Sequence, residues 1–166
     1  RIVIPACLVL LFPGCDEAHH IDCETSCEQV VECQGEDGDM AACLEKCETL
    51  DGILNDGARA ALDDCIGLDC NAYYACTGNA LESCTGNDDP FKDRVCDKAV
   101  QCEAASFETC RQQILEGTDG LAILRCLNAA TLDRIADCIE QAPCETLTSA
   151  FEACLDDVLG VLIEDD

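Results

Sequence analysis

A chain of 166 residues has room for one ordinary domain or two small ones, and 18 of those residues are cysteine. Nine basic residues against 35 acidic ones give a net charge of −26, a field that repels nucleic-acid phosphates and anionic headgroups and so excludes sequence-independent nucleic-acid binding. With no Trp and only 4% aromatics, a core of Leu, Ile, Val, Ala and half-cystine is thin for this length, and disulfides worth about 2–4 kcal/mol each are expected to supplement it. In an exported chain such cysteine density reads as a disulfide scaffold; in a reducing cytosol it would read as metal clusters.

The N-terminus favours export. Arg1 precedes an uncharged, apolar run over 2–12, long enough for the hydrophobic region of a signal peptide and too short to span a bilayer. Leu11-Phe12-Pro13-Gly14-Cys15 follows, and then the polar run Asp16-Glu17-Ala18-His19-His20. Gly14 and Cys15, with Leu11 upstream, resemble the lipobox of bacterial lipoproteins, although Phe12 and Pro13 depart from it. That resemblance implies a signal peptide over 1–14, lipidation of Cys15, and a tether over 15–21. It also implies attachment to the membrane through the acyl chains, which number enough for stable anchoring when there are at least two. The alternative is ordinary secretion, with Cys15 in the mature fold.

Beyond the tether the segments read as short helices. Over 39–50, Met40, Cys43, Leu44 and Cys47 form one stripe; over 143–158, Cys144, Leu147, Phe151, Cys154, Leu155 and Val158 form another, with Pro143 placed to open that helix. Asp89-Pro90 and Ser106 mark further helix starts. Glycine-rich acidic turns are expected at 35–39, 51–57 and 117–120. No stretch alternates β-branched residues. The expected fold is therefore all-α, with seven or eight short helices set as antiparallel hairpins.

Setting Cys7 and Cys15 aside leaves sixteen cysteines, and they read as two tandem units, 22–86 and 87–166, joined by the turn-rich Thr85-Gly86-Asn87-Asp88-Asp89-Pro90. The first unit has Cys27-x5-Cys33-x9-Cys43, Cys65 and Cys70-x5-Cys76-x7-Cys84; the second has Cys96-x5-Cys102-x7-Cys110, Cys126 and Cys138-x5-Cys144-x9-Cys154. On these spacings Cys65 is matched to Cys126, and Cys84 to Cys154. Cys23-x3-Cys27 and Cys43-x3-Cys47 each place two cysteines one turn apart on a helix face. In an antiparallel hairpin they favour the ladder Cys23–Cys47 and Cys27–Cys43. In the second unit the place of Cys23 is Lys92 and that of Cys47 is Ile114, so one rung is missing as a pair and Cys96–Cys110 is the rung that remains. This twin C-x3-C hairpin is similar to α-hairpinin scaffolds in architecture, and the whole pattern resembles cysteine-rich helical repeat lipoproteins. Five further cysteines per unit are an odd number. Either one bridge crosses between units, or each unit keeps a free thiol, or the boundary lies elsewhere.

Catalytic patterns are mostly absent. The only histidines are His19 and His20, read as tether residues, which leaves no Ser-His-Asp, Cys-His or HExxH arrangement in the folded part. No C-x2-C, P-loop or GxSxG occurs. The acidic clusters Glu36-Asp37-Gly38-Asp39 and Asn87-Asp88-Asp89 do not fit an EF-hand loop and read as helix starts. Tyr73-Tyr74 reads as one core residue and one exposed neighbour. The tail 155–163 is expected to pack as a last amphipathic helix. The sequence thus points to a non-enzymatic, cofactor-free, exported cell-envelope protein, structural or protein-binding. The alternative is a binder of small ligands or divalent cations, or an inhibitor-like scaffold presenting loop 51–57 or 117–120.

Overall fold

Side-chain caps fix where most of the helices begin. Asp22 accepts from the Thr25 amide, Asp39 from Ala41 and Ala42, Asn55 from Ala58, Asp69 from Ala72, Ser106 from Thr109, and Asn128 from Thr131, each satisfying an amide that the first helical turn leaves without a partner. The computed structural model describes residues 19–116 and 122–160. Among them are eight α-helices: α1 (Cys23–Gln34), α2 (Met40–Ile53), α3 (Asp56–Asp63), α4 (Cys70–Glu82), α5 (Asp89–Gln101), α6 (Phe107–Glu116), α7 (Ala129–Gln141) and α8 (Leu147–Leu159). Short 3-10 turns occupy Gly35–Asp37, Ala122–Cys126 and Cys144–Thr146. The described part is all-α; its nearest approach to a sheet is a single antiparallel bridge between Leu54 and Leu127.

Four helix pairs, α1/α2, α3/α4, α5/α6 and α7/α8, are each stapled internally. Cys23–Cys47 and Cys27–Cys43 join α1 to α2, Cys65–Cys76 joins the end of α3 to α4, Cys96–Cys110 joins α5 to α6, and Cys138–Cys154 joins α7 to α8. Cys33–Cys70 ties the end of α1 to the start of α4, and Cys102–Cys144 ties the end of α5 to the turn before α8. The eighth bridge, Cys84–Cys126, crosses from one unit to the other. That crossing accounts for the odd cysteine in each half, and every described cysteine is paired.

The connectivity corrects the repeat alignment. Cys33–Cys70 and Cys65–Cys76 in the first unit correspond to Cys102–Cys144 and Cys138–Cys154 in the second. Cys65 therefore matches Cys138, not Cys126, and Cys84 and Cys126 have no counterparts except each other. The sequence agrees without a gap: Leu54-Asn55 through Asp64-Cys65 falls on Leu127-Asn128 through Asp137-Cys138.

At the junction these matched segments meet face to face. The Asn55 amide donates to the Cys126 carbonyl at 2.7 Å and the Asn128 amide to the Ile53 carbonyl at 2.9 Å. Their side-chain amides repeat the symmetry, Asn55 Nδ2 reaching the Arg125 carbonyl at 2.7 Å and Asn128 Nδ2 the Gly52 carbonyl at 2.9 Å. Gly86 closes the same point: its amide donates to the Arg125 carbonyl at 2.9 Å, and a Cβ there would lie 2.0 Å from that oxygen. The segment 51–57 is accordingly no free turn. α2 continues to Ile53, α3 starts at Asp56, and Ile53 and Leu54 are buried between them.

The main core spreads from this junction into the second unit. Leu54, Leu124, Ile135 and Ile139 are fully buried, and Phe91, Val95, Leu132 and Val158 surround them. Arg94 of α5 fastens the outer face by donating to Asp133, Asp137 and Glu140 of α7. Lys92, which stands where the first unit has Cys23, is buried and pairs with Asp88 at 2.8 Å. One further local expectation changes and another holds as far as the described residues go. Pro143 precedes a 3-10 turn, so α8 begins only at Leu147 and Cys144 is exposed. In the tail, Val158 and Leu159 are buried in the core, as packing requires; 161–163 lie outside the described residues.

Candidate functional site: a three-helix cleft in the first unit

α1 is gripped from two sides. Two bridges hold it against α2. On the other side Cys33–Cys70 and a 3.0 Å hydrogen bond between Ser26 Oγ and Tyr73 Oη hold it against α4, and Gln29 ties it to the segment before α4, donating to the Leu68 carbonyl at 2.6 Å and accepting from the Gly67 amide at 2.8 Å. No bridge joins α2 to α4, and the space between them is a cleft of about 410 Å³. Its walls follow helical periodicity. α1 contributes Ser26, Val30 and Gln34; α2 contributes Ala42, Lys46 and Leu50; α4 contributes Tyr73, Thr77 and Leu81. Leu62 of α3 and Ile21 close one end, Asp37 and Asp39 stand at the other, and Tyr74 lies alongside Tyr73.

Tyr73 is 7% exposed and Tyr74 48%, one core residue and one exposed neighbour as read from the sequence. Both rings nevertheless line the cleft, edge to face with centroids 5.5 Å apart and planes at 74°, a geometry in which the quadrupoles of the two rings attract. The charge around them is lopsided. Residues 22–86 hold fifteen acids and only two cations, Lys46 and Arg59. Arg59 is buried, outside the residues that line the cleft, and donates to the Leu54 carbonyl at 2.6 and 3.0 Å and to the His19 carbonyl at 2.9 Å.

The segment before α1 docks beside this guanidinium. His20 Nδ1 lies 2.8 Å from Asp51 Oδ2, the Ile21 amide donates to Asp51 at 2.9 Å, and His19 Nε2 is 3.5 Å from Asp63. Burial pushes the Asp51 carboxyl up, but hydrogen bonds from His20 and the Ile21 amide, together with Arg59, outweigh it and hold the group below the usual carboxylate range. The tether expected over 15–21 is thus laid down on the fold from His19 onward; 15–18 lie outside the described residues.

No family model, curated protein or solved structure matches this chain. Its chemistry must therefore be read from its own residues.

The expected lipidation site, Cys15, and the loop 117–120 lie outside the described residues. Cys23–Cys47, Cys27–Cys43 and Cys96–Cys110 are brought together with Cα separations of 5.6, 5.7 and 5.5 Å. Among the described residues no cluster of three or more His, Cys, Asp or Glu is disposed to hold a metal ion. No helix among them is long and apolar enough to cross a membrane. The cleft itself was overlooked at the level of sequence. Its signal is the pair of stripes Ser26/Val30/Gln34 and Tyr73/Thr77/Leu81, three residues each at a spacing of four, mixed in polarity where a closed interface would be apolar.

Proposed function

We propose that this chain is a non-catalytic, exported binding protein, held at the bacterial cell envelope by lipid on Cys15, whose working surface is the cleft of the first unit. The observation that carries the binding half is the cleft: about 410 Å³, inside the roughly 300–1,000 Å³ range of small-molecule sites, mostly apolar, with a few convergent polar groups. That volume favours a small ligand over a broad protein-binding face. Export is supported by eight disulfides, which persist in oxidising compartments and are rare in reducing ones. The anchor rests on Gly14-Cys15 and the apolar run before them.

Two measurements test the two halves. Mass spectrometry of the mature protein should find Cys15 at the N-terminus carrying acyl chains; an unmodified or internal Cys15 removes the anchor. A fragment mixture added to labelled protein should shift the NMR signals of Tyr73, Tyr74 and Leu81 while leaving those of Ile135 and Ile139 in place. Shifts confined to the second unit would remove the cleft as the binding surface.

A further inference from the structure

Building on the reading of the cleft as a binding site, we infer that it takes a small organic cation: a protonated or quaternary amine carried on an apolar body. Three features specify the two halves of that ligand. The floor, Val30, Leu50, Leu62 and Leu81, offers apolar surface to a hydrocarbon body. Tyr74, half exposed against Tyr73, presents an aromatic ring in the cleft, and such ring faces attract cations, the more so where water is excluded. Asp37 and Asp39 stand at the mouth.

The surrounding field agrees. With fifteen acids against two cations in 22–86 and Arg59 buried and engaged by backbone carbonyls, an anion is repelled on approach and a cation is drawn in. Among the described residues that line the cleft the one cation is Lys46 on the α2 wall, against the two aspartates.

The second unit fills the positions matched to the cleft differently. Leu62 falls in register with Ile135, which is fully buried, and Tyr73, three residues after Cys70, corresponds to Leu147, three after Cys144. There Leu147 packs with Phe107 and Ala105 on Cys96, Ala99 and Cys110. At these matched, described positions the second unit packs apolar side chains together, whereas the first keeps Ser26, Tyr73, Tyr74 and Thr77 around an open space.

The test is calorimetry of the full oxidised chain with octyltrimethylammonium, octyl sulfate and octyl glucoside, all below their micelle concentrations and at two salt concentrations. Saturable one-site binding of the ammonium is expected, about tenfold or more tighter than the glucoside, weakening with salt, with no binding of the sulfate. Tyr74→Ala and Asp37→Asn should each weaken the ammonium several-fold while helical circular dichroism is unchanged. Val30→Trp, which fills the cleft, should abolish it. Equal binding of ammonium and glucoside would overturn the cation while leaving a binding cleft. Absence of saturable binding of any of the three would overturn the inference, and the fragment experiment would then decide separately whether the cleft binds anything else. Ammonium binding that survives Val30→Trp in a folded protein would also overturn it, placing the site elsewhere.

Discussion

One helix position separates the two halves of this molecule. Ile135 on α7 is fully buried under α5, while Leu62, in the same register on α3, is only partly buried and lines a cleft. The second unit holds α5 against α7 with Phe91, Val95 and the Arg94 network. The first holds α1 away from such a contact with four internal bridges against the second unit's three. Cys23–Cys47 in particular takes the place where the second unit has Lys92 and Ile114. Crosslinks and apolar burial are exchangeable ways of holding helices in place, and a unit with an extra crosslink can leave its interior open. One unit supplies most of the buried core, and the other keeps an open cleft.

The sharpest way to break this comparison is to truncate the matched pair. Ile135→Ala should cost about 2–5 kcal/mol, as expected for a fully buried aliphatic side chain, and Leu62→Ala less than half of that, both read by denaturant unfolding with disulfides intact. Equal costs would mean that the first unit relies on its apolar floor as much as the second relies on its core. Removing the only bridge between units, with Cys84→Ser and Cys126→Ser together, should cost about 2–4 kcal/mol. It should also separate a single unfolding transition into two, the second unit melting later. A single unchanged transition would show that the Leu54–Leu127 junction alone couples the halves.

Smaller effects test the symmetry itself. Asn55→Ala and Asn128→Ala each remove a helix cap and a side-chain bond across the junction, and each should cost about 1–2 kcal/mol. A difference larger than that range would show that the junction is symmetric in geometry only. The smallest effect is acid loosening at Asp51. Because its folded-state carboxyl is held below the ordinary value, its contribution is complete above the unfolded value of about 3.9 and is lost as pH falls through the folded one. Hydrogen exchange at the Ile21 amide should accelerate over that acid window, and Asp51→Asn should make it fast at neutral pH and flatten the dependence. An amide that stays protected through acid would show that Arg59 alone holds the segment.

Much of the frame was legible from spacing. Twin C-x3-C segments place cysteines on one helix face, and their ladder follows from antiparallel geometry, which is why Cys23 and Cys27 find Cys47 and Cys43. The odd cysteine in each half already required a crossing bridge or a free thiol. The repeat was harder, because matching on cysteine gaps alone set Cys65 against Cys126. The Leu-Asn that precedes both α3 and α7 carries the true register, and it is a capping signal outside the cysteine pattern. The turn expected at 51–57 failed for a related reason: Asp51, Gly52 and Asn55 look like loop residues locally, but α2 runs through the first two and Asn55 serves as a cap pressed against the other unit. The cleft left only the mixed polarity of the Ser26/Val30/Gln34 and Tyr73/Thr77/Leu81 stripes, which marks open faces without saying that α2 and α4 are left unjoined.

The bridge Cys84–Cys126 has one more consequence, for the life of the protein outside the cell. The linker between the units passes from Cys84 to α5 at Asp89, and a protease that cut it would release nothing. The two fragments would remain one covalent object, joined by that single sulfur link, and only reduction would part them. A gel run without reductant would then show an uncut chain where a reduced one shows two pieces. For a molecule exposed to the enzymes of its surroundings, a severed backbone need not mean a divided one.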